Sequence, residues 1–512
     1  MVPLSFLCVP IFVESVEQLR REAVLAAEAG ADMLELRVDE LTQSFPLPEL
    51  PVPYILTCRP AREGGQSELG DADRLDLLAE FAEHGAAYVD VELDTLMRRP
   101  DLADPRTFPY RIIVSVHDFK GRPPLSRHLI EMATRQARVH KLAWTARSIR
   151  DNLEAFELLR SPLRPTIAIC MGEAGLLSRV LAKKFGGFLT YVALRPSEVT
   201  APGQPTIEQV KRLYRWDAIG AETRVYGVVG APVAHSLSPA VHNAAFEHAR
   251  ENAVYLPMLV QPGYESFKAF MEEFVAFRPL HLRGLSVTIA HKENALRYLR
   301  EKGARVDPLA EQVGAVNTFS ISEAAELSGF NTDYAAIVNT VCAALKIDPE
   351  DLAGKRVAVI GAGGTARTAV AAMANLGATV VVYNRTKEKA EQIAREFDGR
   401  TGKVVAARLE KLCDSCCHVF INTTPVGMHP NVEESPLGER LPEFTPDTLV
   451  FDAIYNPSKT KLLRQAEAAG ARTVGGAEMF IRQAVKQFEI WTGGAAPVDV
   501  MRRAFENALN PS

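Results

Sequence analysis

The sequence lacks the excess of positive charge that a nucleic-acid-binding surface needs. Its 512 residues include 58 Lys and Arg against 63 Asp and Glu, a formal net charge of -5. A slightly acidic chain has no basic field to attract phosphates, so we do not expect a nucleic-acid partner. The hydrophobic fraction of 47% and the charged fraction of 24% are those of an ordinary globular protein, and a membrane partner is not expected either.

Cysteine is also scarce. Seven cysteines, an odd number scattered through a long chain, argue against a disulfide framework and favour a reducing, cytoplasmic location. Cys413, Cys416, Cys417 and His418 are all types of zinc ligand, but no second ligand pair follows at regular spacing. We therefore predict no metal site and read these cysteines as small apolar side chains packed around the start of a strand.

The first half of the chain alternates short apolar runs with segments of helical spacing. A chain of this length suggests two or three domains. Segments with helical spacing include 15–29, 71–84, 148–160 and 174–184. The apolar runs lie near residues 5–9, 33–37, 54–58, 88–92, 111–116, 139–143, 165–170 and 189–192. Eight such units predict a (β/α)8 barrel, whose active site lies at the carboxyl ends of the strands.

Ionisable residues recur at that end of the predicted strands. Salt bridges on the surface have no reason to select one end of almost every strand, so the pattern favours a functional site. The residues are Glu35, Arg37, Arg59, Glu92, His117, Lys141 and Arg179.

Lys141 lies in an apolar strand segment, which suggests amine chemistry. A buried lysine tends to lose its proton and then attacks carbonyl carbon to form a Schiff base; the alternative is an ion-paired structural lysine. The arginines would bind a carboxylate and His117 would move a proton, which suits an elimination next to a ketone. Glu92 is the natural partner to fix the His117 tautomer, and Asp118 is an alternative.

This first half resembles type I 3-dehydroquinate dehydratase over residues 1 to about 218. The resemblance implies that Lys141 forms the Schiff base, that His117 is the general acid and base, and that Glu92 orients His117. It also implies substrate contacts from Glu35, Arg37, Arg59, Arg179, Thr200 and Gln204, with Thr200 standing where the family more often has serine. The motifs are Glu35-Leu36-Arg37, Arg59 with Glu63-Gly64-Gly65, Asp90-Val91-Glu92, His117-Asp118-Phe119, Lys141, Ser178-Arg179 and Ala201-Pro202-Gly203-Gln204.

A new strand at 225–230, after the polar stretch 216–223, indicates a domain boundary. Further on, the apolar run 355–360 leads directly into a glycine-rich turn, after which helical spacing resumes. This order places a pyrophosphate at the positive end of a helix, although a plain turn would also explain the glycines. The turn is Gly361, Ala362, Gly363, Gly364, Thr365 and Ala366.

The following strand ends in Asn384, Arg385 and Thr386, where an NAD-binding fold usually places an acidic residue. Because an arginine there prefers a phosphate, we predict NADP rather than NAD; the alternative is a solvated loop charge.

A second set of polar residues suits a small polyol. Lys292 and Asp333 could move a proton to a developing alkoxide as hydride arrives, unless they form a structural ion pair. Most of the others are neutral hydrogen-bonding groups, namely Ser236, Ser238, Thr288, Asn317 and Gln483.

Residues 224 to about 510 resemble shikimate dehydrogenase. The resemblance implies that Tyr455 also contacts substrate and that Thr423, Met428 and Gly476 border the cofactor. Ser286, Ala290 and Tyr334 depart from the family's frequent asparagine, proline and glycine. The motifs are His235-Ser236-Leu237-Ser238-Pro239, Val287-Thr288, His291-Lys292-Glu293, Gly314-Ala315-Val316-Asn317-Thr318, Asn331-Thr332-Asp333, Asn422-Thr423-Thr424-Pro425, Tyr455-Asn456-Pro457 and Gly476 to Gln483.

The expected architecture is α/β throughout, with a barrel at 1–218, a substrate lobe at 224–335 completed by helices in 471–512, and a Rossmann-like NADP lobe at 336–470. The resemblances imply dehydration of 3-dehydroquinate to 3-dehydroshikimate, followed by reduction to shikimate with NADPH. A second half that acts on quinate or with NAD is one alternative, and an inactive metabolite sensor is another. The sequence leaves a homo-oligomer open.

Overall fold

The protein is described by a computed structural model that covers residues 5–509 except 105, 122, 136, 161, 163, 400, 401, 415 and 439. Residues 1–4 and 510–512, at the outer ends of the predicted segments 1–218 and 471–512, lie outside the described residues. The chain divides into two compact units. Among the described residues, the first unit comprises those up to 224 together with 252–260 and 276–281, and the second comprises 225–251, 261–275 and those from 282 onward.

The first unit alternates strands and helices in the predicted way. Each predicted strand is present within three residues at either end, because each apolar run is buried on both faces. The elements are β1 (Phe6–Phe12), α1 (Val16–Glu28), β2 (Met33–Arg37), β3 (Tyr54–Thr57), α2 (Asp71–Ala82), β4 (Tyr88–Glu92), α3 (Leu93–Arg98), β5 (Ile112–Asp118), α4 (Leu125–Ala133), β6 (Val139–Thr145), α5 (Asp151–Arg160), β7 (Thr166–Met171), α6 (Leu176–Val180) and β8 (Leu189–Tyr191).

These strands form one parallel sheet in the order β7-β6-β5-β4-β3-β2-β1-β8. A backbone hydrogen bond of 2.8 Å from Phe188 N to Thr166 O joins the starts of β8 and β7, so the sheet is nearly closed. Inward apolar side chains such as Ile55, Ile113 and Ile167 fill the barrel interior. The predicted (β/α)8 barrel is confirmed.

The segment predicted as one helix at 174–184 contains a shorter helix, α6, flanked by single turns at 173–175 and 183–185. Ser178 explains part of this difference. Its backbone N–H donates to Asn152 Oδ1 (2.8 Å), and its hydroxyl bonds both Cys170 N (2.9 Å) and Gly175 O (2.8 Å). Such side-chain bonds compete with the regular helical ladder.

Past residue 223 the described chain forms two further sheets with their helices. The elements are β9 (Arg224–Gly230), α7 (Ser238–His248), β10 (Ala253–Leu259), α8 (Tyr264–Ala276), β11 (Leu282–Val287), α9 (Lys292–Glu301), β12 (Arg305–Val306), α10 (Pro308–Val313), β13 (Thr318–Ile321), β14 (Leu327–Phe330), α11 (Asp333–Leu345), β15 (Arg356–Ile360), α12 (Gly364–Asn375), β16 (Thr379–Asn384), α13 (Lys387–Phe397), β17 (Val404–Arg408), β18 (Val419–Asn422), β19 (Leu449–Asp452), α14 (Lys461–Ala468), β20 (Arg472–Val474), α15 (Ala477–Thr492) and α16 (Val498–Leu509).

In the first of these sheets β9 pairs with β11 in parallel, whereas β13 pairs antiparallel with both β11 and β14. The helix α15 packs on this sheet. Trp491 donates from Nε1 to Phe319 O at 2.8 Å, and a Cβ at Gly284 would lie 2.3 Å from the same nitrogen. Glycine at 284 therefore allows the close approach of helix and strand.

The last sheet is entirely parallel, in the order β17-β16-β15-β18-β19-β20. Numbered from β15, this is the order 3-2-1-4-5-6 of the dinucleotide-binding fold, with the strand order reversing beside β15. The helix α12 begins directly after β15 and buries its alanine-rich face against the sheet. The Rossmann-like fold predicted from the glycine turn is confirmed.

Candidate functional sites

A small cavity of about 60 Å³ opens within the first unit at the carboxyl ends of the barrel strands. It brings together nearly all of the residues that the sequence assigns to the first site. Those that line it are Glu35, Arg37, Arg59, His117, Lys141, Arg179, Thr200 and Gln204, together with Glu63 and Tyr191, which were not predicted.

Lys141, the third residue of β6, lines this cavity, and its side chain is only 5% exposed. Its Nζ is 2.9 Å from Asp90 Oδ2 and 3.2 Å from Glu35 Oε1. The centroid of the Tyr191 ring lies 4.4 Å from the same nitrogen. The predicted nucleophile is therefore buried and paired, which compensates the cost of desolvating its charge.

Asp90 links this lysine to Arg59. Its Oδ1 forms an ion pair with Arg59 Nη2 (2.7 Å) and accepts a hydrogen bond from the Ser115 hydroxyl (2.6 Å). Burial alone would raise the pKa of Asp90, but the charges of Arg59 and Lys141 together outweigh it and lower that pKa well below its usual range. Asp90 consequently stays ionised and provides a fixed negative charge beneath Lys141.

The residue beside His117 is Glu63, not Glu92. Glu63 Oε2 lies 3.1 Å from His117 Nδ1 and accepts from His117 N at 3.1 Å. Glu63 follows β3 in a short turn, Ala61–Glu63. The alternative partner, Asp118, instead accepts from the backbone of Lys120 and Gly121.

Burial is the main cause of two opposite pKa shifts in this pair. It raises the pKa of Glu63 to about 7, an increase that the charge of Arg59 opposes. Burial also lowers the pKa of His117 well below its usual value, and the positive charges of Arg59 and Lys141 lower it further. His117 is therefore neutral at physiological pH, and one ring nitrogen is free to accept a proton.

The prediction that Glu92 orients His117 is wrong in this structure. Glu92 is fully buried, and its two oxygens accept from Arg59 (2.8 Å) and Arg74 (2.8 Å). Arg74 also donates to the Cys58 carbonyl and to Thr95. Glu92 therefore accepts hydrogen bonds from two buried guanidinium groups. Its position at the end of a strand does not reveal whether the side chain contacts these arginines or His117, so the sequence could not distinguish the two.

Several buried donors at the cavity make no hydrogen bond among the described residues. They include Arg179 Nε and Gln204 Nε2. Burial also lowers the pKa of Arg179 to about 10. Gln204 is oriented through its Oε1, which accepts from Thr200 N and Thr200 Oγ1, both at 2.9 Å. Unused buried donors are costly, so these two groups favour a polar, anionic ligand in the cavity.

A second, larger cavity of about 270 Å³ lies within the second unit. It brings together the predicted substrate residues and part of the predicted cofactor set. Those that line it are Lys292, Asp333, Ser236, Ser238, Thr288, Asn317, Tyr455, Gln483, Thr365, Thr423, Met428 and Gly476.

Lys292 and Asp333 are the ionic pair of this cavity. Lys292 Nζ donates to Asp333 Oδ2 at 2.6 Å and to Thr365 Oγ1 at 3.0 Å. Lys292 begins α9, Asp333 begins α11, and Thr365 lies in the first turn of α12. The ammonium of Lys292 thus lies beside the first turn of α12, which follows the glycine-rich turn.

A chain of neutral hydrogen bonds fixes the amide of Asn317. Asn317 Oδ1 accepts from Thr332 N and Thr318 Oγ1, both at 2.8 Å, and Asn317 Nδ2 donates to Thr332 Oγ1 at 2.9 Å. Gln487 extends the chain, because it donates to Thr318 Oγ1 (3.0 Å) and accepts from Ser286 Oγ (2.7 Å).

Gln487 is fully buried and lines the cavity, yet the sequence did not single it out. The sequence did contain one indication of this role. Gln487 lies one helical turn after Gln483 on α15, which places both amides on the same face of the helix. Gln483 itself donates to Phe480 O at 2.9 Å. Near the other end of the cavity, burial raises the pKa of Tyr455, while hydrogen bonds to the Leu237 backbone and the Ser236 side chain lower it.

The turn before α12 has the geometry of a phosphate cradle. Gly361 has φ of +117°, and a Cβ there would lie 2.6 Å from Thr423 Oγ1. A Cβ at Gly364 would lie 2.8 Å from Lys292 Cβ, whereas Gly363 has open space around it. Ala362 lies between these glycines and Ala366 is buried inside the helix. These residues fit a pyrophosphate at the helix N-terminus.

The predicted phosphate-selecting residues lie outside this cavity. Asn384 ends β16 and donates from Nδ2 to Thr386 O at 2.8 Å, which shapes the turn. Arg385 and Thr386 are exposed in that turn. Because β16 is adjacent to β15, an exposed guanidinium here fits the ribose-phosphate end of a dinucleotide that starts at the glycine turn.

The cysteine cluster has a structural contact: Cys413 Sγ is 2.8 Å from Arg440 O. Among the described residues, no group of three or more His, Cys, Asp or Glu is arranged to bind a metal ion. None of the helices in the described part of the chain is both long and apolar enough to span a membrane.

Comparison with known families divides the chain between residues 221 and 228. Residues 7–221 match the type I 3-dehydroquinase family. The substrate-binding domain of shikimate dehydrogenase matches residues 228–319, the shikimate / quinate 5-dehydrogenase family matches 343–452, and the shikimate 5'-dehydrogenase C-terminal domain matches 476–504.

Individual relatives agree with these matches. The chloroplastic bifunctional 3-dehydroquinate dehydratase/shikimate dehydrogenase of Arabidopsis thaliana is 39% identical, over 97% of this chain and 83% of that protein. The shikimate dehydrogenase (NADP(+)) of Methanosarcina barkeri is 36% identical over 56% of this chain and 99% of its own length. A crystal structure of a shikimate dehydrogenase in complex with NADP+ is 34% identical, with a TM-score of 0.50, and covers 57% of this chain and 98% of its own.

Proposed function

Because the chain belongs to the family of bifunctional 3-dehydroquinate dehydratase/shikimate dehydrogenases, we propose that it catalyses two consecutive reactions. The barrel dehydrates 3-dehydroquinate to 3-dehydroshikimate, and the second half reduces that ketone to shikimate with NADPH. The observation that carries the proposal is the buried Lys141 in a cavity with two carboxylates and three arginines. An amine at that position suits covalent catalysis on a keto acid.

In the barrel, Lys141 attacks the ketone carbon, and the iminium forms as one molecule of water leaves. The iminium acidifies the adjacent carbon, and His117 accepts the proton lost there and returns it to the neighbouring hydroxyl, which leaves as water. Water then hydrolyses the product iminium, which releases the ketone and regenerates the amine of Lys141. Glu63 accepts from His117 Nδ1–H and so keeps Nε2 available as the base. Arg37, Arg59 and Arg179 provide the cavity's positive charges for the substrate carboxylate.

In the second half, Lys292 supplies the proton for the developing alkoxide while Asp333 fixes the ammonium at 2.6 Å. The amides of Asn317 and Gln483 and the hydroxyls of Ser236, Ser238, Thr288 and Tyr455 bind the ring substituents and the carboxylate. NADPH, when bound, would supply the hydride.

We propose that the turn Gly361–Ala366 binds the pyrophosphate and that Arg385, with Asn384 and Thr386, recognises the ribose phosphate. Thr423, Met428 and Gly476 border the nicotinamide end, which is supported by their position in the cavity beside Lys292. Under this assignment each predicted domain has its own function. The dehydratase is formed by 1–218, the substrate lobe of the reductase by 224–335 with 471–512, and the cofactor lobe by 336–470. The cytoplasmic location, the absence of a nucleic-acid partner and the homo-oligomer stay predictions from the sequence.

The test is borohydride trapping on the intact chain. With 3-dehydroquinate present, borohydride should reduce the iminium and attach the substrate to the peptide that contains Lys141. Lys141→Ala should lose the adduct and at least about a thousandfold of the dehydration rate, yet keep NADPH-dependent reduction.

Lys292→Ala is the matched control, since it should lose most of the reduction rate and keep the adduct. If wild-type protein never acquires the adduct while it still dehydrates the substrate, the covalent mechanism is wrong. If both variants lose both activities, the assignment of one reaction to each half is wrong.

A further inference from the structure

The aromatic ring of Tyr191, the last residue of β8, faces the nitrogen of Lys141. Its centroid is 4.4 Å from Nζ, and the side chain belongs to the barrel interior with only 6% of the residue exposed. The Tyr191 hydroxyl makes no hydrogen bond within the part of the chain that the structure describes. The hydroxyl therefore does not fix the position of the ring, and Tyr191 contacts Lys141 through the face of the ring.

The bonds made by Lys141 Nζ change when the covalent intermediate forms. The ammonium carries three N–H bonds, two of which serve Asp90 and Glu35. Iminium formation with the ketone joins nitrogen to carbon, and two of the three protons leave with the carbonyl oxygen as water. The iminium keeps the positive charge and a single N–H, so it cannot donate to both carboxylates.

An aromatic face interacts with the charge itself and needs no N–H. Its attraction to a cation comes from the ring quadrupole and is strongest where water is excluded, as it is around Lys141. We propose that Tyr191 is a further residue of the dehydratase site. Its ring stabilises the positive charge on the Lys141 nitrogen while the covalent intermediate exists. This inference rests on the proposed function of the barrel, because it requires an iminium at Lys141.

The experiment varies the electron density of the ring and leaves its shape almost unchanged. Position 191 is occupied in turn by phenylalanine and by phenylalanines with one, two and three ring fluorines, and Tyr191→Leu removes the ring. The measured quantity is the rate at which the borohydride-trapped adduct forms with 3-dehydroquinate. NADPH-dependent reduction by the same chain serves as the internal control for folding.

Tyr191→Phe should stay within about twofold of wild type, because the ring face is kept. Each fluorine weakens the negative face, so the rate should fall stepwise to about one tenth with three fluorines, and Tyr191→Leu should lose about tenfold. Reduction should be unchanged in every variant.

A flat response across the fluorinated series would overturn the inference, since packing alone is insensitive to ring electronics. A loss in Tyr191→Phe as large as that in Tyr191→Leu would also overturn it, because the hydroxyl would then be responsible. Failure of the proposed function looks different: the wild-type protein itself would form no adduct.

Discussion

The two cavities of this chain solve different chemical problems with different kinds of side chain. The barrel cavity is small and densely charged, with Lys141, three arginines and two glutamates at its wall. The cavity of the second half is several times larger, and apart from the pair of Lys292 and Asp333 it is lined mainly by amides, hydroxyls and apolar groups. Covalent catalysis through a cation needs fixed charges, whereas hydride transfer to a ketone needs one proton donor and directional hydrogen bonds.

The supporting residues follow the same division. In the barrel, Asp90 and Glu92 are completely buried and connect Arg59, Arg74 and Lys141 into one ionic network. A buried ion is stable only when it has its partners. Such a network therefore keeps its members charged, but the removal of any one member destabilises the protein. In the second half the support is the neutral chain from Ser286 to Asn317, which sets direction rather than charge.

Among variants that keep Lys141 and Lys292, the largest effect on a catalytic rate should come from Glu63→Gln, which tests the role of fixed charge in the barrel cavity. Glu63 has a pKa of about 7, so above this pH it is ionised and accepts from His117 Nδ1–H. Dehydration should therefore fall as the pH decreases through about 7, when Glu63 gains a proton. Glu63→Gln should lower kcat by about 10- to 100-fold and remove this pH dependence, as a pH profile of dehydration would measure.

Glu92→Gln is the matched control for that result. Because both oxygens of Glu92 satisfy buried arginines, its loss should lower the free energy of unfolding by about 3–5 kcal/mol, measured by urea denaturation. The pH dependence of the remaining dehydration should persist. If Glu92→Gln removed the step near pH 7 and Glu63→Gln kept it, the orientation of His117 would belong to Glu92 after all.

Arg385→Ala sharpens the comparison, because the charge that we propose to select the cofactor in the second half lies outside the cavity and is exposed. A charge-assisted contact with a phosphate contributes about 1.5–3 kcal/mol, so the KM for NADPH should rise about 10- to 100-fold and the KM for NADH should change little. Arg395→Ala, an exposed arginine in the last turn of α13, is the control of equal charge. Equal weakening of both cofactors would remove the argument for phosphate recognition.

The fold was largely predictable from the sequence, and the contacts inside the sites were not. The strand near 33–37 was predicted at the bounds of β2, since a continuous apolar run and its flanks mark a buried strand locally. Lys141 was recognised for the same reason, as a charge inside such a run. Glu63 was assigned no role, because it reaches His117 from a turn 54 residues away and periodicity carries no information about such a contact.

Tyr191 and Gln487 were missed for a related reason. An aromatic residue at a strand end and a glutamine on a helix face are both typical of ordinary packing, and only the structure shows what each one contacts. Sequence patterns thus predicted which residues carry charge at the sites. They did not predict which neighbours set the direction of those charges and dipoles.

The smallest effect should come from Gln487→Leu, which tests the neutral side of the comparison. Leucine keeps most of the volume but removes the hydrogen bonds that Gln487 makes with Ser286 Oγ and Thr318 Oγ1, so the Asn317 amide loses part of its orientation. The KM for 3-dehydroshikimate should rise about fivefold with little change in kcat, since substrate and transition state would lose the same contact. Gln487→Glu keeps an acceptor for Ser286 and should lose less than Gln487→Leu. Dehydration should be unaffected in both variants, and a fall in kcat at constant KM would place Gln487 with the proton-transfer pair rather than with substrate orientation.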